Sequence, residues 1–265
     1  MVSYIKLNQQ RSVRAMLQQG LKPRLDIIVA AENNLPIEKY IKFKIQYGLD
    51  IGIGVVVHRV NSGELINLIK GLNEDVGVGA IILQLPIDDQ TLLDEALSLI
   101  NISKDVDGLN PKSKFDSATA TAIMWLISGY NISLESKKIY VVGQGKLVGR
   151  PLTNMLISSG LNVNTIISDD NLSLIKDGDL IISATGKPGL ITPDLIKSGA
   201  IVIDAGTAAE DGAIKGDVAD DLYLRDDINV TPKIGGVGPL TIAALFANVI
   251  KSYQMLVSGG SSNED

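Results

Sequence analysis

Tyr40 and Lys44 are four residues apart, a spacing that brings a phenol and an ammonium to the same face of a predicted helix. A lysine in a crowded or buried place shifts its pKa downward readily and can then exchange protons near neutral pH, while a tyrosine hydroxyl can orient or donate. The pair is therefore a candidate for proton chemistry on a shared ligand. The same spacing also occurs on a solvated, lysine-rich helix face, so both interpretations stay open for the pair alone.

A second candidate site is the glycine-rich turn Gly143-Gln144-Gly145-Lys146-Leu147-Val148-Gly149, which follows the apolar run 139–142. Glycines in such a turn allow the backbone to approach a pyrophosphate, and the N-terminus of the following helix attracts anions. The spacing G-x-G-x-x-x-G is one residue longer than the usual dinucleotide fingerprint. The turn predicts a nucleotide site, and an ordinary tight turn is the alternative.

The cofactor would be distinguished after the next predicted strand, at Ser168 and Asp169, where the ribose of a bound dinucleotide is read. A carboxylate there favours NAD, because it repels the extra phosphate of NADP, whereas Ser168 suits either cofactor. Asp169 and Asp170 also suit the cap of a following helix. The residues alone leave the choice between NAD and NADP open.

The elements that must position these residues are indicated by short apolar runs alternating with amphipathic stretches from residue 24 onward. Such alternation is typical of βα units around a mostly parallel sheet. A first series predicts strands at 25–31, 53–58 and 80–85 and helices at 36–47, 63–72 and 92–100. A second series predicts strands at 139–142, 164–167, 180–183, 201–204 and 229–231, with a joining helix at 119–128 and a final helix at 241–256. We therefore expect an α/β fold.

Composition excludes several classes of protein. The chain has 265 residues, of which 45% are hydrophobic, so it can bury a large core, and its net charge of -6 argues against nucleic-acid binding. It has no cysteine and one histidine, His58, which excludes disulfides, thiolate nucleophiles and a histidine-cluster metal site. We expect no metal, a structural or solvent-facing role for His58, and a packing role for Trp125.

The first 20 residues contain three scattered basic residues and no unbroken apolar stretch. They therefore predict neither a signal peptide nor a membrane-spanning helix, and we expect a cytoplasmic protein without a membrane partner.

Four motifs occur together in one order along the chain. They are Tyr40-x-x-x-Lys44, Gln84-Leu85-Pro86, Asp105-Val106-Asp107-Gly108 and Gly235-Gly236-Val237-Gly238-Pro239. In this order, and with the glycine-rich turn between the last two, the chain resembles the bifunctional methylenetetrahydrofolate dehydrogenase/methenyltetrahydrofolate cyclohydrolase family. The resemblance runs from about residue 25 to the final helix.

The resemblance implies two α/β domains flanking a cleft. Residues 1–119 would form the folate-binding catalytic domain, on which the helix at 240–256 packs back, and residues 120–236 a Rossmann-type dinucleotide-binding domain. Residues 257–265 are predicted to be a disordered tail. The resemblance also implies tetrahydrofolate derivatives as partners, a homodimer, and a role in one-carbon metabolism and purine biosynthesis.

Roles for individual residues also follow from the resemblance. Lys44 would be the central catalytic residue, mainly for hydrolysis, with Tyr40 beside the folate, Gln84 tuning Lys44, and Asp107 binding the pterin ring. The substrate site would comprise Tyr40, Gln84, Leu85, Pro86, Asp107, Gly236 and Pro239. The cofactor site would comprise Gly143, Gln144, Gly145, Lys146, Ser168 and Thr207.

The chain departs from the family pattern at several positions. Ile37 stands where a serine is usual, Ser117-Ala118-Thr119-Ala120 replaces Pro-Cys-Thr-Pro, and Lys233-Ile234 precedes the glycine loop. Gln144-Gly145 stands where the family generally carries serine, often preceded by arginine in NADP-specific members. We nevertheless expect NADP, with NAD as the alternative.

Two rival functions stay open. One is a different two-domain nicotinamide-dependent dehydrogenase, which would need neither Gln84 nor the segment 105–108. The other is a catalytically silent nucleotide-binding protein, against which the joint presence of Lys44, Gln84 and Asp107 argues.

Overall fold

The computed structural model describes residues 1–32, 34–167, 171–210 and 213–260. The chain divides into two compact units: unit 1 comprises residues 1–118 and 242–265, and unit 2 comprises residues 119–241. The predicted ribose-reading residues Ser168 and Asp169, together with Asp170, lie outside the described residues, as does the end of the chain from residue 261.

Unit 1 is built on a parallel sheet of three strands in the order β2-β1-β3. Its strands are β1 (Arg24–Val29), β2 (Gly54–Arg59) and β3 (Ile81–Gln84). Its helices are α1 (Val2–Gln18), α2 (Leu35–Ile51), α3 (Ser62–Glu74) and α4 (Leu93–Leu99), preceded by a 3₁₀ turn at Gln90–Leu92. Five of the six residues of β1 are buried, as a central parallel strand requires.

Helix α2, which carries the first candidate site, has clear start and stop signals. The Asn34 side chain accepts a hydrogen bond from the Ile37 amide, and Pro36 lies in the first turn, where its missing N–H costs nothing. Gly52 ends the helix in the left-handed conformation. These caps determine where α2 begins and ends, and its buried residues, which include Ile37, Ile41 and Lys44, show which face packs on the core.

Unit 2 contains a parallel sheet of five strands in the order β10-β7-β6-β4-β5. Its strands are β4 (Ile139–Val142), β5 (Val163–Ile166), β6 (Leu180–Ser183), β7 (Ile201–Asp204) and β10 (Asn229–Val230), and an antiparallel hairpin comprises β8 (Ala208–Glu210) and β9 (Ala213–Lys215). Its helices are α5 (Ala118–Gly129), α6 (Gly149–Ser158) and the start of α7 (Val237–Gly260), with 3₁₀ turns at Leu172–Asp177, Pro193–Leu195 and Asp220–Leu224. The strand order reverses at β4, so the topological switch point lies between the carboxyl ends of β4 and β6, where α/β sheets bind ligands.

Most predicted elements are confirmed. The strands at 139–142, 180–183 and 201–204 have the predicted bounds, and the mixed α/β class with parallel sheets is confirmed. The prediction for the last helix was wrong at both ends, because α7 starts at Val237 and continues to Gly260. Pro239 falls within its first turn, where proline is tolerated. Helix α1 and the β8–β9 hairpin were not predicted.

Among the described residues, no helix combines the length and the apolar character needed to cross a bilayer.

Candidate functional site

Lys44 lies on the buried face of α2 and contacts the end of β3. Its Nζ donates a hydrogen bond to Oε1 of Gln84 at 2.7 Å, and Nε2 of Gln84 donates to the Leu85 carbonyl oxygen at 2.9 Å. The second bond orients the amide so that its oxygen faces the lysine. Gln84 is thus a fixed acceptor rather than a mobile surface side chain.

The burial of Lys44 excludes one of the two interpretations of the Tyr40–Lys44 spacing, the solvated helix face. Ile37, Ile41 and Lys44 form one buried stripe on α2, and only 9% of Lys44 is exposed. Lys42, on the same helix, is exposed, and Tyr40 is half-buried one turn before Lys44. Lys44 is therefore not part of a solvated lysine-rich face. Ile37, which stands where the family has serine, packs in the core.

Lys44 and Asp107 are coupled electrostatically. Burial lowers the pKa of the Lys44 ammonium, and the negative charge of Asp107 works against that shift. Burial likewise raises the pKa of the Asp107 carboxyl, which the positive charge of Lys44 opposes. An amine with a lowered pKa exchanges protons closer to neutral pH than an exposed lysine does, which is what a proton-transfer group requires.

The loop that carries Asp107 is held rigidly. The Ala118 amide donates to the Asp107 carbonyl oxygen, and the next residue, Gly108, has φ +71°. A methyl group at position 108 would lie 2.6 Å from the Asp116 carbonyl carbon, so only glycine fits this turn. Asp105 accepts a hydrogen bond from the Asn110 amide at 2.8 Å. The backbone is therefore held both before Asp107, at Asp105, and after it, at Gly108.

Lys104 anchors the start of that loop in a way the sequence did not reveal. Its Nζ donates to the carbonyl oxygens of Leu72, Asn73 and Asp75 at 2.7–3.0 Å. These carbonyls belong to the last turn of α3 and the residue after it, where helices leave acceptors unsatisfied. The ammonium therefore serves as the C-terminal cap of α3.

The glycine-rich turn of unit 2 connects β4 to α6 at the switch point. Gly143 has φ +93°, and a methyl group on Gly149 would lie 1.8 Å from the Gly143 carbonyl oxygen. A methyl group on Gly145, by contrast, would have no neighbour within 4 Å. Among the described residues, no side chain caps the start of α6, so the positive end of its dipole suits a phosphate. Closely packed glycines at a strand-to-helix turn are the arrangement by which α/β sheets bind a pyrophosphate, so the turn remains a candidate nucleotide site.

Most of the remaining predicted cofactor and substrate residues lie in unit 2, whereas Leu85 and Pro86 follow β3 in unit 1. Nε2 of Gln144 donates to Oγ1 of Thr153 on α6 at 3.1 Å, so this side chain is turned toward the helix. Thr207 lies between β7 and β8, Gly236 immediately before α7, and Pro239 in the first turn of α7. Lys146 follows the open position 145 in the turn.

His58, the sole histidine, pairs with a buried carboxylate. Its Nε2 lies 2.8 Å from Oδ1 of Asp26, whose other oxygen accepts from Nε of Arg24 at 2.8 Å. This contact joins two adjacent strands and agrees with the structural role expected for His58. Within the part of the chain that the structure describes, no group of three or more histidine, aspartate or glutamate side chains could hold a metal ion.

Comparisons with known proteins agree over nearly the whole chain. A family model for the tetrahydrofolate dehydrogenase/cyclohydrolase catalytic domain matches residues 2–107, and one for the NAD(P)-binding domain matches residues 117–257. The chain is 35% identical over 262 residues to the bifunctional protein FolD of Staphylococcus aureus, covering 93% of this chain and 91% of that protein.

Solved structures show the same likeness. A bifunctional FolD methylenetetrahydrofolate dehydrogenase/cyclohydrolase from Campylobacter jejuni has 33% identity and a TM-score of 0.88, with 96% of both chains covered. The Trypanosoma brucei dehydrogenase-cyclohydrolase, solved with NADP and an inhibitor, has 26% identity and a TM-score of 0.88 and covers 97% of this chain and 95% of that one.

Proposed function

This chain belongs to the tetrahydrofolate dehydrogenase/cyclohydrolase family, and from that premise we propose that it catalyses two successive reactions. In the first, 5,10-methylenetetrahydrofolate loses a hydride to NADP and becomes 5,10-methenyltetrahydrofolate. In the second, water adds to the methenyl carbon and the product is 10-formyltetrahydrofolate. The observation that carries the proposal is the buried Lys44 ammonium fixed on Gln84 and coupled to Asp107.

The oxidation needs alignment more than acid-base chemistry. NADP supplies the hydride acceptor when it is bound. The turn 143–149 and the start of α6 would hold its pyrophosphate, and Thr207 would lie along its ribose. The two nitrogens beside the methylene carbon stabilise the cation that remains, so the protein's contribution is to bring the two ring systems together.

The hydrolysis needs a group that moves protons. In its neutral form, Lys44 accepts a proton from the water whose oxygen bonds to the methenyl carbon. The hydroxyl oxygen then forms the formyl C=O and releases its proton as the carbon–N5 bond breaks, and N5 takes up the proton that the Lys44 ammonium returns. Gln84 holds the lysine amine in place through these steps. The positive charge of the methenyl substrate would lower the pKa of Lys44 further, which favours the neutral base.

Asp107 is the proposed anchor of the pterin ring. A carboxylate can accept two hydrogen bonds from the amino group and ring nitrogen of an aminopyrimidinone, and the rigid loop around Gly108 presents it in one position. Tyr40, half-buried on the Lys44 face of α2, would pack beside the folate. Leu85 and Pro86 continue from Gln84 and would complete this part of the substrate site.

The cofactor assignment to NADP is supported by the Trypanosoma brucei relative, which was solved with that cofactor. In this chain, Gln144 occupies the position where NADP-specific members often carry arginine, and its amide is turned to Thr153. Lys146 and Ser168 are therefore the proposed contacts of the 2'-phosphate.

The proposal is tested with the variant Lys44→Met, which keeps much of the side-chain stem and removes the ammonium. Methenyl hydrolysis should fall by about 100-fold, as expected for loss of acid-base catalysis, while NADP affinity should stay unchanged. Lys42→Met, on the exposed face of the same helix, is the matched control and should retain both activities. Hydrolysis at the parent rate in folded Lys44→Met would remove Lys44 from the mechanism.

We further propose that the chain acts in the cytoplasm as a homodimer, on the strength of the family resemblance. Sedimentation equilibrium at micromolar concentration should give twice the mass of one chain, and a monomer that is fully active would contradict the dimer.

A further inference from the structure

Two carboxylates that were not singled out by the sequence, the half-buried Asp204 and the buried Asp217, lie at the carboxyl edge of the unit 2 sheet. Asp217 is 0% exposed, and its Oδ2 accepts from Oγ of Ser183 and from the Thr185 amide, both at 2.6 Å. Asp204 accepts from the amides of Asp217 and Gly206 through Oδ1, each at 3.0 Å. The two side chains thus join the ends of β6 and β7 to the segment after β9.

Each carboxylate packs against a glycine that lies within two residues of the other carboxylate in the sequence: Asp217 against Gly206, and Asp204 against Gly216. A methyl group on Gly206 would lie 2.0 Å from Oδ1 of Asp217, and one on Gly216 would lie 2.0 Å from Oδ2 of Asp204. Oδ1 of Asp217 has no hydrogen-bond partner among the described residues and rests against the Gly206 backbone. The fit leaves no space for a larger residue at either glycine, so the two carboxylates set the spacing of the loops around them.

These loops border the proposed nucleotide site. A methyl group on Gly143, the first glycine of the turn, would lie 2.5 Å from the Ala184 carbonyl oxygen and 3.0 Å from the Thr185 nitrogen. The Thr185 amide, which donates to Asp217, therefore lies beside the glycine-rich turn 143–149, with no space between them for a side chain at position 143. The amide of Gly206 donates to Asp204, and Thr207 is the next residue. The carbonyl oxygen of Thr207 would be 3.7 Å from a methyl group on Gly186.

We propose that Asp217 and Asp204 form a positioning pair. Together they hold loop 184–186 against the glycine-rich turn 143–149 and loop 205–207 beside loop 184–186, and they thereby set the affinity for the dinucleotide. The inference rests on the proposed function, since it assumes that a dinucleotide binds at the turn. Asp217 acts through the Thr185 amide and does not itself contact the cofactor. The distances of 2.6 Å are those of charge-assisted hydrogen bonds, which a neutral side chain of the same shape would weaken.

The test uses Asp217→Asn, which preserves the shape of the side chain but removes its charge. In the free protein, the Thr185 amide should exchange its hydrogen about tenfold faster, because its acceptor is weaker. Calorimetry should show the dissociation constant for NADP rising about tenfold, with the KM for NADP rising in parallel. The rate of methenyl hydrolysis, which the proposed function assigns to unit 1, should stay unchanged.

Asp179→Asn is the matched control. Asp179 precedes β6 at the opposite edge of the same sheet, where it accepts from the Lys138 amide and from Nζ of Lys197. Its loss should weaken unit 2 without changing the NADP dissociation constant. If Asp217→Asn does not fold, Ser183→Ala, which deletes only one donor to Asp217, should raise the NADP dissociation constant about threefold.

The outcomes separate the inference from the function on which it rests. A parent protein that binds NADP while folded Asp217→Asn or Ser183→Ala binds it equally well overturns the positioning role alone. An equal loss of affinity in Asp179→Asn and Asp217→Asn also overturns it, because general weakening of unit 2 would then suffice. A parent protein that fails to bind NADP overturns the proposed function and this inference together, whatever the exchange rate at Thr185.

Discussion

The buried carboxyl of Asp105 should make the stability of unit 1 depend on pH in an unusual direction. Asp105 is 1% exposed, and burial raises its pKa from 3.8 to about 6, a shift that its hydrogen bond from the Asn110 amide only partly opposes. The folded protein therefore binds a proton at this site over a pH range in which the unfolded chain has already released it. The contribution of Asp105 to the unfolding free energy is therefore fully present below pH 3.8 and is lost as the pH rises through about 6.

The magnitude follows from the two pKa values. Moving a carboxyl pKa from 3.8 to about 6 corresponds to ~3 kcal/mol of unfolding free energy. Asp105→Asn cannot titrate and keeps an oxygen that can accept from the Asn110 amide. The unfolding free energy of the parent, measured relative to this variant, should therefore fall by ~2.4 kcal/mol between pH 4 and pH 7, because the rest of the loss occurs below pH 4.

Hydrogen exchange at the buried β1 amides of Ile27 and Ile28 is the appropriate assay. A chain with two units need not unfold in one step, and these amides report on unit 1 alone. Asp116→Asn, at an exposed position of the same loop, is the control and should leave the parent profile unchanged. The reasoning is refuted if the parent and Asp105→Asn show the same pH dependence across this range.

Three further predictions test the proposed sites. Asp107→Ala should weaken folate binding about tenfold or more while leaving NADP affinity unchanged. It should also move the rising limb of the hydrolysis pH profile to lower pH, because the charge that raises the Lys44 pKa is lost. Calorimetry showing equal losses of affinity for both ligands would point to a structural role. Gly149→Ala should raise the NADP dissociation constant at least about tenfold, since its methyl group has no space, whereas Gly145→Ala should bind nearly normally; equal behaviour of the two would contradict a nucleotide site at this turn. For the cofactor, the ratio of kcat/KM values should favour NADP in the parent, and a tenfold preference for NAD that Asp169→Ser abolishes would show the assignment to be wrong.

Local patterns were sufficient to predict most of the fold, and the exceptions have physical causes. In α1, Gln9 occupies a buried position and hydrogen bonds with the Tyr47 hydroxyl and the Ala243 carbonyl oxygen. A glutamine at a core position breaks the apolar stripe by which helices are recognised, so α1 left no clear periodicity. Strands β8 and β9 have three residues each, which is too short for an alternating pattern to be visible.

The site residues of unit 1 could be predicted only in part from local sequence patterns. The spacing of Tyr40 and Lys44 predicted a shared helix face, but only the structure showed that this face is buried. The contact of Lys44 with Gln84 spans 40 residues of sequence, so no local pattern could reveal it, and their joint role came from the family resemblance. No sequence pattern distinguishes Lys104, because a lysine in a loop is usually solvated.

Helix α7 has a consequence for the order in which the protein takes shape during synthesis. Nδ2 of Asn248 on this helix donates to the carbonyl oxygens of Val106 and Asp116, at 2.9 and 3.0 Å, on either side of the loop that carries Asp107. Tyr253, further along the helix, donates to the carbonyl oxygens of Arg24 and Gly77. Unit 2 is an insertion within unit 1, so the ribosome completes it before these tethers exist. The nascent chain can therefore have a folded unit 2 while the loop that carries Asp107, the proposed pterin anchor, still lacks its contacts with α7.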